Sequence, residues 1–568
     1  MTSGDSSRLQ EKDKGKEKEK EEAPQQDLEL EMDALNQNPA IPAVLKVLQH
    51  LHTNVSPPKA GEKMPSWMQE LFDKISARET HINVRLFIAK LIINRPHVFE
   101  PYGDSWWKPL ATLIVDSPSF GSGINYFVQD LCILLLTWAG KKDEPAATSE
   151  KPVWPQVIPS KQNEEDVRAA SNLVAFLMAN TYHTTPYVMR NNLELVKGFL
   201  ENWGSQIRVP TAVVCDQFCR TGDKELKDNL VGIQLLGVIL SNNLPPFDAT
   251  TSGQYREADF YRRLVENLSF KFQDVYTSTA EVCGMVLRFL DPKGGDERAS
   301  QLSSGIPNMK TFEEFFALLS KKVAQLMPAQ NLTVESDRFL RCVHKIGLSY
   351  PPFADQFMKQ LLFHMPRYQG EFKTMGLEVI LSRAPTIEDI FVTLQSQDLL
   401  GLLTHRDDTN QLICLMILYK ILKHLKTSQI AFFLQSMITA FTNHSNLKCR
   451  IAYFDILIWL FDNMKITEND PTSVSLRREL LKGLTDETQF IRSKLTNFWN
   501  TYDLPFSHLS PLPSHYRAWF HMTISEPRLT VETFERLEKL LSVMYLPEIE
   551  DTYLNFATSI ILEATQRR

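Results

Sequence analysis

The chain has 568 residues, 43% apolar and 23% charged, with a formal net charge of −7. That apolar content supplies cores for three or four globular domains or for one extended repeat array, and it excludes a chain disordered throughout. The near-balance of charge excludes the Lys/Arg surplus that general phosphate-backbone binding requires, while leaving room for a local basic groove.

The charge is concentrated at the start. From Met1 to Asp33 there are eleven Asp or Glu against six Lys or Arg, so about five of the seven excess negatives sit there. Within it, Glu11 to Glu22 reads EKDKGKEKEKEE, a mixed-charge run without an apolar stripe. Such a run cannot bury enough surface to offset the entropy of ordering, which predicts a disordered tail over residues 1–34. Each of its five lysines has an acidic neighbour, the pattern of a solvated tail rather than of a nuclear import signal.

From Leu35 onward apolar residues recur at spacings of three and four, which predicts helices. Asn83 to Ile93 (NVRLFIAKLII) is one example. Another is Asp228 to Leu240 (DNLVGIQLLGVIL), with Asp228 placed as N-cap and Asn242–Asn243 ahead of Pro245–Pro246 as the stop. Roughly two dozen segments of ordinary helix length follow one another, and alternating runs bounded by hairpin dipeptides are almost absent. Gly140 to Asn163 is rich in Pro, Lys and Ser and reads as a long mobile insertion (140–163) in a first helical block, 35–290. Asp291 to Pro307 is a Gly/Ser-rich break (291–307) before a second block, 308–568, which has a shorter interruption at Lys465 to Ser475.

A loose repeat marks the second block. Phe372 to Leu381 (FKTMGLEVIL), Asn410 to Tyr419 (NQLICLMILY) and Lys448 to Leu457 (KCRIAYFDIL) align without gaps, placing Gly376, Cys414 and Ala452 at intervals of 38 residues. Gln489 to Trp499 is a fourth candidate, with Ser493 a further 41 residues on. Each repeat holds two helices, such as Asn410 to Leu425 followed by Ser428 to Phe441, and a period near 40 is that of HEAT or armadillo arrays. The expected fold is therefore all-α, an α-solenoid of HEAT/armadillo-like repeats, with a small residue at one position of each repeat admitting close helix contact.

Seven cysteines, odd in number and scattered through apolar helical runs, read as reduced core residues. No apolar stretch reaches the ~18 residues of a membrane span, and the N-terminus is polar, so no membrane contact is expected and the compartment is expected to be intracellular. On that reading the sequons at Asn54, Asn267, Asn331 and Asn443 are chance matches.

The sequence carries no complete catalytic motif. His405-Arg406-Asp407 has the composition of the protein-kinase catalytic loop, but Leu412 stands where the metal-binding Asn belongs, and no glycine-rich loop or Asp-Phe-Gly accompanies it. The expected reading is an inter-helix turn with Asp407 or Asp408 capping. Cys215 and Cys219 would make half a zinc site, yet no second pair follows; His50 and His52 project to different helix faces. No P-loop, dinucleotide fingerprint or Gly-x-Ser-x-Gly occurs. Catalytic residues, cofactor, metal and small-molecule substrate are accordingly all expected to be none. Trp106, Trp107 and Trp499 read as core aromatics before base-stacking ones. Ser-Gln or Thr-Gln, the minimal target of DNA-damage kinases, occurs at Ser205, Ser300, Ser396, Ser428, Thr488 and Thr565. Ser300, in the break, and Thr565, near the end, are the two expected to be accessible to phosphorylation.

Residues Pro65 to Met68 (PSWM), Ile82 to Asn94, Asp228 to Asp248, Phe372 to Arg383, His405 to Asp408 and Tyr545 to Leu562 together resemble, in order, one stretch of the phosphatidylinositol-3-kinase-related kinases. The resemblance covers about Asp27 to Glu563 and falls in the middle-to-late part of a HEAT-repeat cradle, ahead of the kinase domain, so no catalytic residue is carried over. It implies a nuclear scaffold segment for double-strand break repair by non-homologous end joining. The implied partners are the remaining parts of the kinase cradle, the Ku heterodimer and DNA ends. The lysine-rich tail and the insertion at 140–163 have no counterpart in it. The alternative of the same architecture is an adaptor or nuclear-transport-type α-solenoid that binds other proteins.

Overall fold

The computed structural model describes residues 38–54, 63–116, 124–140, 156–218, 229–291, 309–327, 334–463, 475–476, 479–480, 482–483 and 486–500. Every regular element among them is helical. The chain divides into two compact units, Met1–Pro210 and Thr211–Arg568.

The first unit contains α1 (Ala40–Asn54), α2 (Ser66–Ser76), α3 (Ile82–Asn94), α4 (Gly103–Asp116), α5 (Tyr126–Ala139), α6 (Glu164–Ala179) and α7 (Pro186–Trp203). Alternate helices pack on one another: α2 on α4, α4 on α6, α3 on α5 and α5 on α7. Its centre is aromatic. Trp106 meets Phe72 and Phe99 edge-to-face, with ring centroids 5.5 and 5.4 Å away, and Trp107 meets Trp203 at 5.4 Å. Trp106 and Trp107 are 0% and 3% exposed, so the core reading holds for both; the side chain of Trp499 lies outside the described residues.

Part of the insertion expected to be mobile is docked in this unit. Val157 is 2% exposed, its N–H donates to the Trp138 carbonyl at 3.0 Å, and its own carbonyl accepts from the Trp203 indole at 3.0 Å. A Cβ on Gly103 would sit 2.6 Å from the Val157 side chain, so α4 has glycine where the returning chain crosses it. Asn163 then caps α6 by accepting from the Glu165 N–H, and Glu164, Glu165 and Asp166 place negative charge at the positive end of that helix. A single valine seated beside tryptophans has no periodic signature, which is why a composition rich in Pro, Lys and Ser concealed it.

The second unit contains α8 (Thr211–Phe218), α9 (Asn229–Ser241), α10 (Glu257–Glu266), α11 (Gln273–Leu290), α12 (Met309–Ala324), α13 (Val334–Ser349), α14 (Met358–His364), α15 (Glu371–Arg383), α16 (Ile390–Ser396), α17 (Asp408–Ile421), α18 (Thr427–Phe441), α19 (Leu447–Asn463) and α20 (Gln489–Asn500). Helices α9, α11, α13, α15, α17 and α19 form a continuous row, each packed on the next. Flanked on both sides, α9 is apolar nearly all round: Val231, Ile233, Leu235, Leu236 and Ile239 are all 2% exposed or less. That helix ends where expected, with Asn243 in the left-handed region at φ 55° and the Leu244 N–H returning to the Ile239 carbonyl at 3.2 Å; Asp228 lies outside the described residues. Asn267, in one of the four sequons, is 1% exposed and bonded to Asn229 at 2.9 Å, so it cannot accept a glycan in the folded chain.

The row continues across Asp291 to Pro307. Helices α11 and α13, on either side of that segment, are packed so closely that a Cβ on Gly284 would lie 2.5 Å from the Ile346 carbonyl oxygen. Lys345 reaches Glu281 at 3.2 Å, and the Tyr350 hydroxyl donates to Asp291 at 3.0 Å.

The repeat is present, but its register departs from the ungapped alignment. The buried set of α15 (Gly376, Leu377, Val379, Ile380) recurs in α17 as Cys414, Leu415, Ile417 and Leu418, 38 residues on. In α19 the buried residues are Tyr453, Phe454, Ile456 and Leu457, one position later than expected. The counterpart of Cys414 is therefore Tyr453, and Ala452 is only half-buried. Both turn histidines agree, since His405 and His444 accept at Nδ1 from Asp407 and Asn446 at 3.2 and 3.0 Å and stand 39 residues apart. In α20 the buried Ile491 and Leu495 answer to Cys449 and Tyr453 at 42 residues, leaving Ser493 exposed. Small changes in turn length shift the register without altering how the helices stack, because each helix keeps its own inward stripe.

The close contact at Gly284 gives a paired expectation. Gly284→Ala is overpacked and should cost about 1–3 kcal/mol, whereas Gly347→Ala, with nothing within 4 Å of its added Cβ, should be neutral or stabilising by up to about 1 kcal/mol. Urea unfolding of the two variants checks it.

Candidate interaction surface

The turns that lead into α17, α19 and α20 carry the polar chemistry of the second unit. Asp407 accepts from the N–H groups of Thr409 and Asn410 at 2.9 and 3.3 Å and from the Asn410 side chain at 3.0 Å. That is the expected capping turn, and a carboxylate so engaged is not poised as a general base. One repeat on, Asn446 accepts from the Lys448 N–H at 2.9 Å and donates to Asp408 at 3.3 Å, while His444 Nε2 contacts Gln411 Oε1 at 2.9 Å. These bonds run from repeat to repeat, tying each helix start to the next.

The ladder becomes a buried ion pair at its last rung. Arg450 donates through Nε to Asp486 at 2.9 Å, through Nη1 to the His444 carbonyl at 2.6 Å, and through Nη2 to Thr488 Oγ1 at 3.0 Å. Its side chain is 10% exposed and that of Asp486 7%. Nearby, Glu479 is 4% exposed and accepts from Thr442 at 2.8 Å, Tyr453 at 3.2 Å and Lys482 at 2.7 Å. Burial together with that carboxylate pushes the Tyr453 phenol well up. Both clusters are saturated by internal partners, the pattern of a structural network rather than of a reactive site.

The cysteines fit the same reading. Cys132, Cys215, Cys283, Cys342, Cys414 and Cys449 are free and buried, and burial pushes the thiols of Cys342 and Cys414 up to about 12 and that of Cys449 to about 11. Cys219 lies outside the described residues. Among the described residues no three His, Cys, Asp or Glu side chains converge as metal ligands would, and no helix is long and apolar enough to cross a membrane.

Of the two phosphorylation candidates, Ser300 and Thr565 both lie outside the described residues. Of the other Ser-Gln sites, Ser205, Ser396 and Ser428 are exposed. Ser428 lies in the first turn of α18, and a helix residue pointing outward is as open to solvent as a loop residue. Thr488 is half-buried against Arg450.

One open surface is the outward face of the α17–α19 pair. Met416 and Tyr419 are 41% and 47% exposed, and with Leu412, Ile451 and Ala452 they line a groove of ≈ 370 Å³. Periodicity does not mark it, because these residues obey the same helical spacing as the core. Only the side on which the neighbouring helices lie distinguishes them.

Comparison with known proteins gives a consistent result. Residues 1–142 match the family model described as DNA-dependent protein kinase catalytic subunit, CC3, and residues 171–511 and 518–568 match the one described as DNA-PKcs, CC5. Neither is a kinase domain. The chain is 34% identical over 552 residues to the DNA-dependent protein kinase catalytic subunit of Xenopus laevis, 32% over 553 residues to that of Gallus gallus and 34% over 554 residues to that of Mus musculus. Each alignment covers 95% of this chain and 12% of the relative. The first match begins at residue 1 and so takes in the charged tail, for which no counterpart was expected; most of the insertion falls in the unmatched residues 143–170.

Two measurements test this assignment of buried groups. Arg450→Met leaves Asp486 buried without its cation and should cost about 3–5 kcal/mol, part of which Asp486→Asn restores in the double variant, read by urea unfolding. The thiols ordinarily ionise near 9.0, so an unfolded chain releases their protons while the native chain holds them. Their contribution to stability is therefore complete below pH 9 and is lost as pH rises towards about 12. The melting temperature should fall over that window, and less steeply when Cys342 and Cys414 are replaced by alanine.

Proposed function

The chain belongs to the DNA-dependent protein kinase catalytic subunit family, and on that premise we propose that its work is that of a scaffold segment in nuclear double-strand break repair by non-homologous end joining. It spans about 12% of the length of the curated relatives, within their non-catalytic helical region. The observation that carries the reading is the coincidence of that match with a helix stack whose carboxylates Asp407, Glu479 and Asp486 are engaged internally, so that outward surface is what is left to act. Contact with the remaining parts of the kinase cradle, with the Ku heterodimer and with DNA ends is the mode of action that fits.

Ser300 and Thr565 stay in this reading as phosphorylation sites, joined by the exposed Ser205, Ser396 and Ser428. A phosphate adds a charge of about −2 and would alter a partner contact on such a surface. An adaptor or transport-type solenoid shares the architecture, but no observation favours it.

Purified chain should be retained on immobilised DNA ends loaded with Ku and not on nuclear import cargo. Retention on the cargo alone would overturn the assignment. Incubated with ATP and a Ser-Gln peptide, the chain should transfer no phosphate; transfer would overturn its non-catalytic character.

A further inference from the structure

The groove between α17 and α19 has features of a built binding site. Its floor is apolar, made by Leu412 and Met416 from one helix and Ile451 and Ala452 from the other. The exposed Met416 and Tyr419 adjoin the half-buried Leu412, Ile451 and Ala452, so the apolar side chains form one cluster across two helices rather than lying scattered. Its rims are cationic. Lys448 is exposed, and Lys420 is exposed while donating to the Leu381 carbonyl at 3.1 Å, which leaves further ammonium protons free. The acidic lining group, Asp455, is already neutralised by Lys494.

The spacing of the two lysines is informative. In the 39-residue register fixed by His405 and His444, Lys448 stands level with Thr409, near the start of α17, whereas Lys420 lies near its end. The cations therefore sit at opposite ends of the groove and on opposite walls, about 16 Å apart along the axis at 1.5 Å per residue.

The walls are helices whose backbone groups are bonded internally, so an extended peptide lying on the apolar floor would leave its own N–H and C=O groups unpaired. A helix satisfies its own. We propose that the α17–α19 groove docks an acidic amphipathic α-helix, its apolar i, i+4 and i+7 residues on Ile451, Met416 and Tyr419 and a carboxylate near each end paired with Lys420 and Lys448. Met416, unbranched and polarizable, and Tyr419, rigid and amphipathic, are side-chain types suited to anchoring such a ligand. The proposal deepens the scaffold reading by giving it a contact surface and a class of partner, and it rests on that reading only in requiring a partner at all.

The probe is a fluorescein-labelled helical peptide with leucines at i, i+4 and i+7 and a glutamate near each end, about eleven residues apart. Two companions replace the glutamates by lysine or the leucines by serine. The full chain should bind the first in fluorescence anisotropy and neither companion. Lys448→Glu should weaken binding by about tenfold, and Met416→Glu should abolish it. Circular dichroism checks that each variant is folded, and if Met416→Glu is not, Lys448→Glu and Lys420→Glu carry the test. Equal binding of the acidic and basic peptides, absence of binding, or indifference to Lys448→Glu overturns the proposal. So does self-association of the chain in sedimentation that Met416→Glu removes, which would make a second copy the occupant. Retention of the Lys448→Glu variant on Ku-loaded DNA ends separates failure of the groove from failure of the scaffold assignment.

Discussion

Each helix in the long row of the second unit has much of its apolar stripe covered by the helices before and after it. A single pair would leave one side of its apolar surface in water, at roughly 1.5–3 kcal/mol for each large side chain so exposed. Stacking neighbours removes that cost repeat by repeat, so stability is a sum of nearest-neighbour terms. The same constraint explains the glycines at crossings. Gly232 and Gly284 sit where a Cβ would enter the backbone of the adjacent helix, at 2.7 and 2.5 Å, and the stack closes there only because no side chain intervenes.

Apolar contact of this kind has little directional preference, and polar bonds at the helix starts supply the register. His405 and His444 make the same two-residue turn, and Asp407 and Asn446 accept from the first N–H groups of the helices that follow. The arrangement satisfies donors that a helix start otherwise leaves orphaned. Arg450 extends the role, bridging its own turn carbonyl to Asp486 and Thr488 of the next repeat. A buried pair of that type is weak evidence for net stability, but a shifted register would strand both charges.

With cores and caps consumed by the stack, function moves to the outward faces. Catalysis demands perturbed groups held apart from structural duty, whereas Asp407, Glu479 and the buried thiols are all committed to structure. Recognition demands only shape and charge that neighbours leave uncovered, which the α17–α19 groove provides.

The amino-acid sequence by itself determined the helices, their pairing and the period near 40, since a stripe recurring every three or four residues has one geometric meaning. It determined the capping role of the His405 to Asp408 turn, and the run of matches from Pro65 to Leu562 pointed to the kinase-related family. Only the tertiary structure decided that Tyr453, not Ala452, answers to Cys414, that Val157 is anchored among tryptophans, and that Met416 and Tyr419 face solvent while Cys414 and Leu415 do not. The physical reason is common to all three. Helical spacing fixes which side chains share a face, but which face is buried depends on where the next helix lies, and that position is set by turn lengths and contacts far apart in the chain.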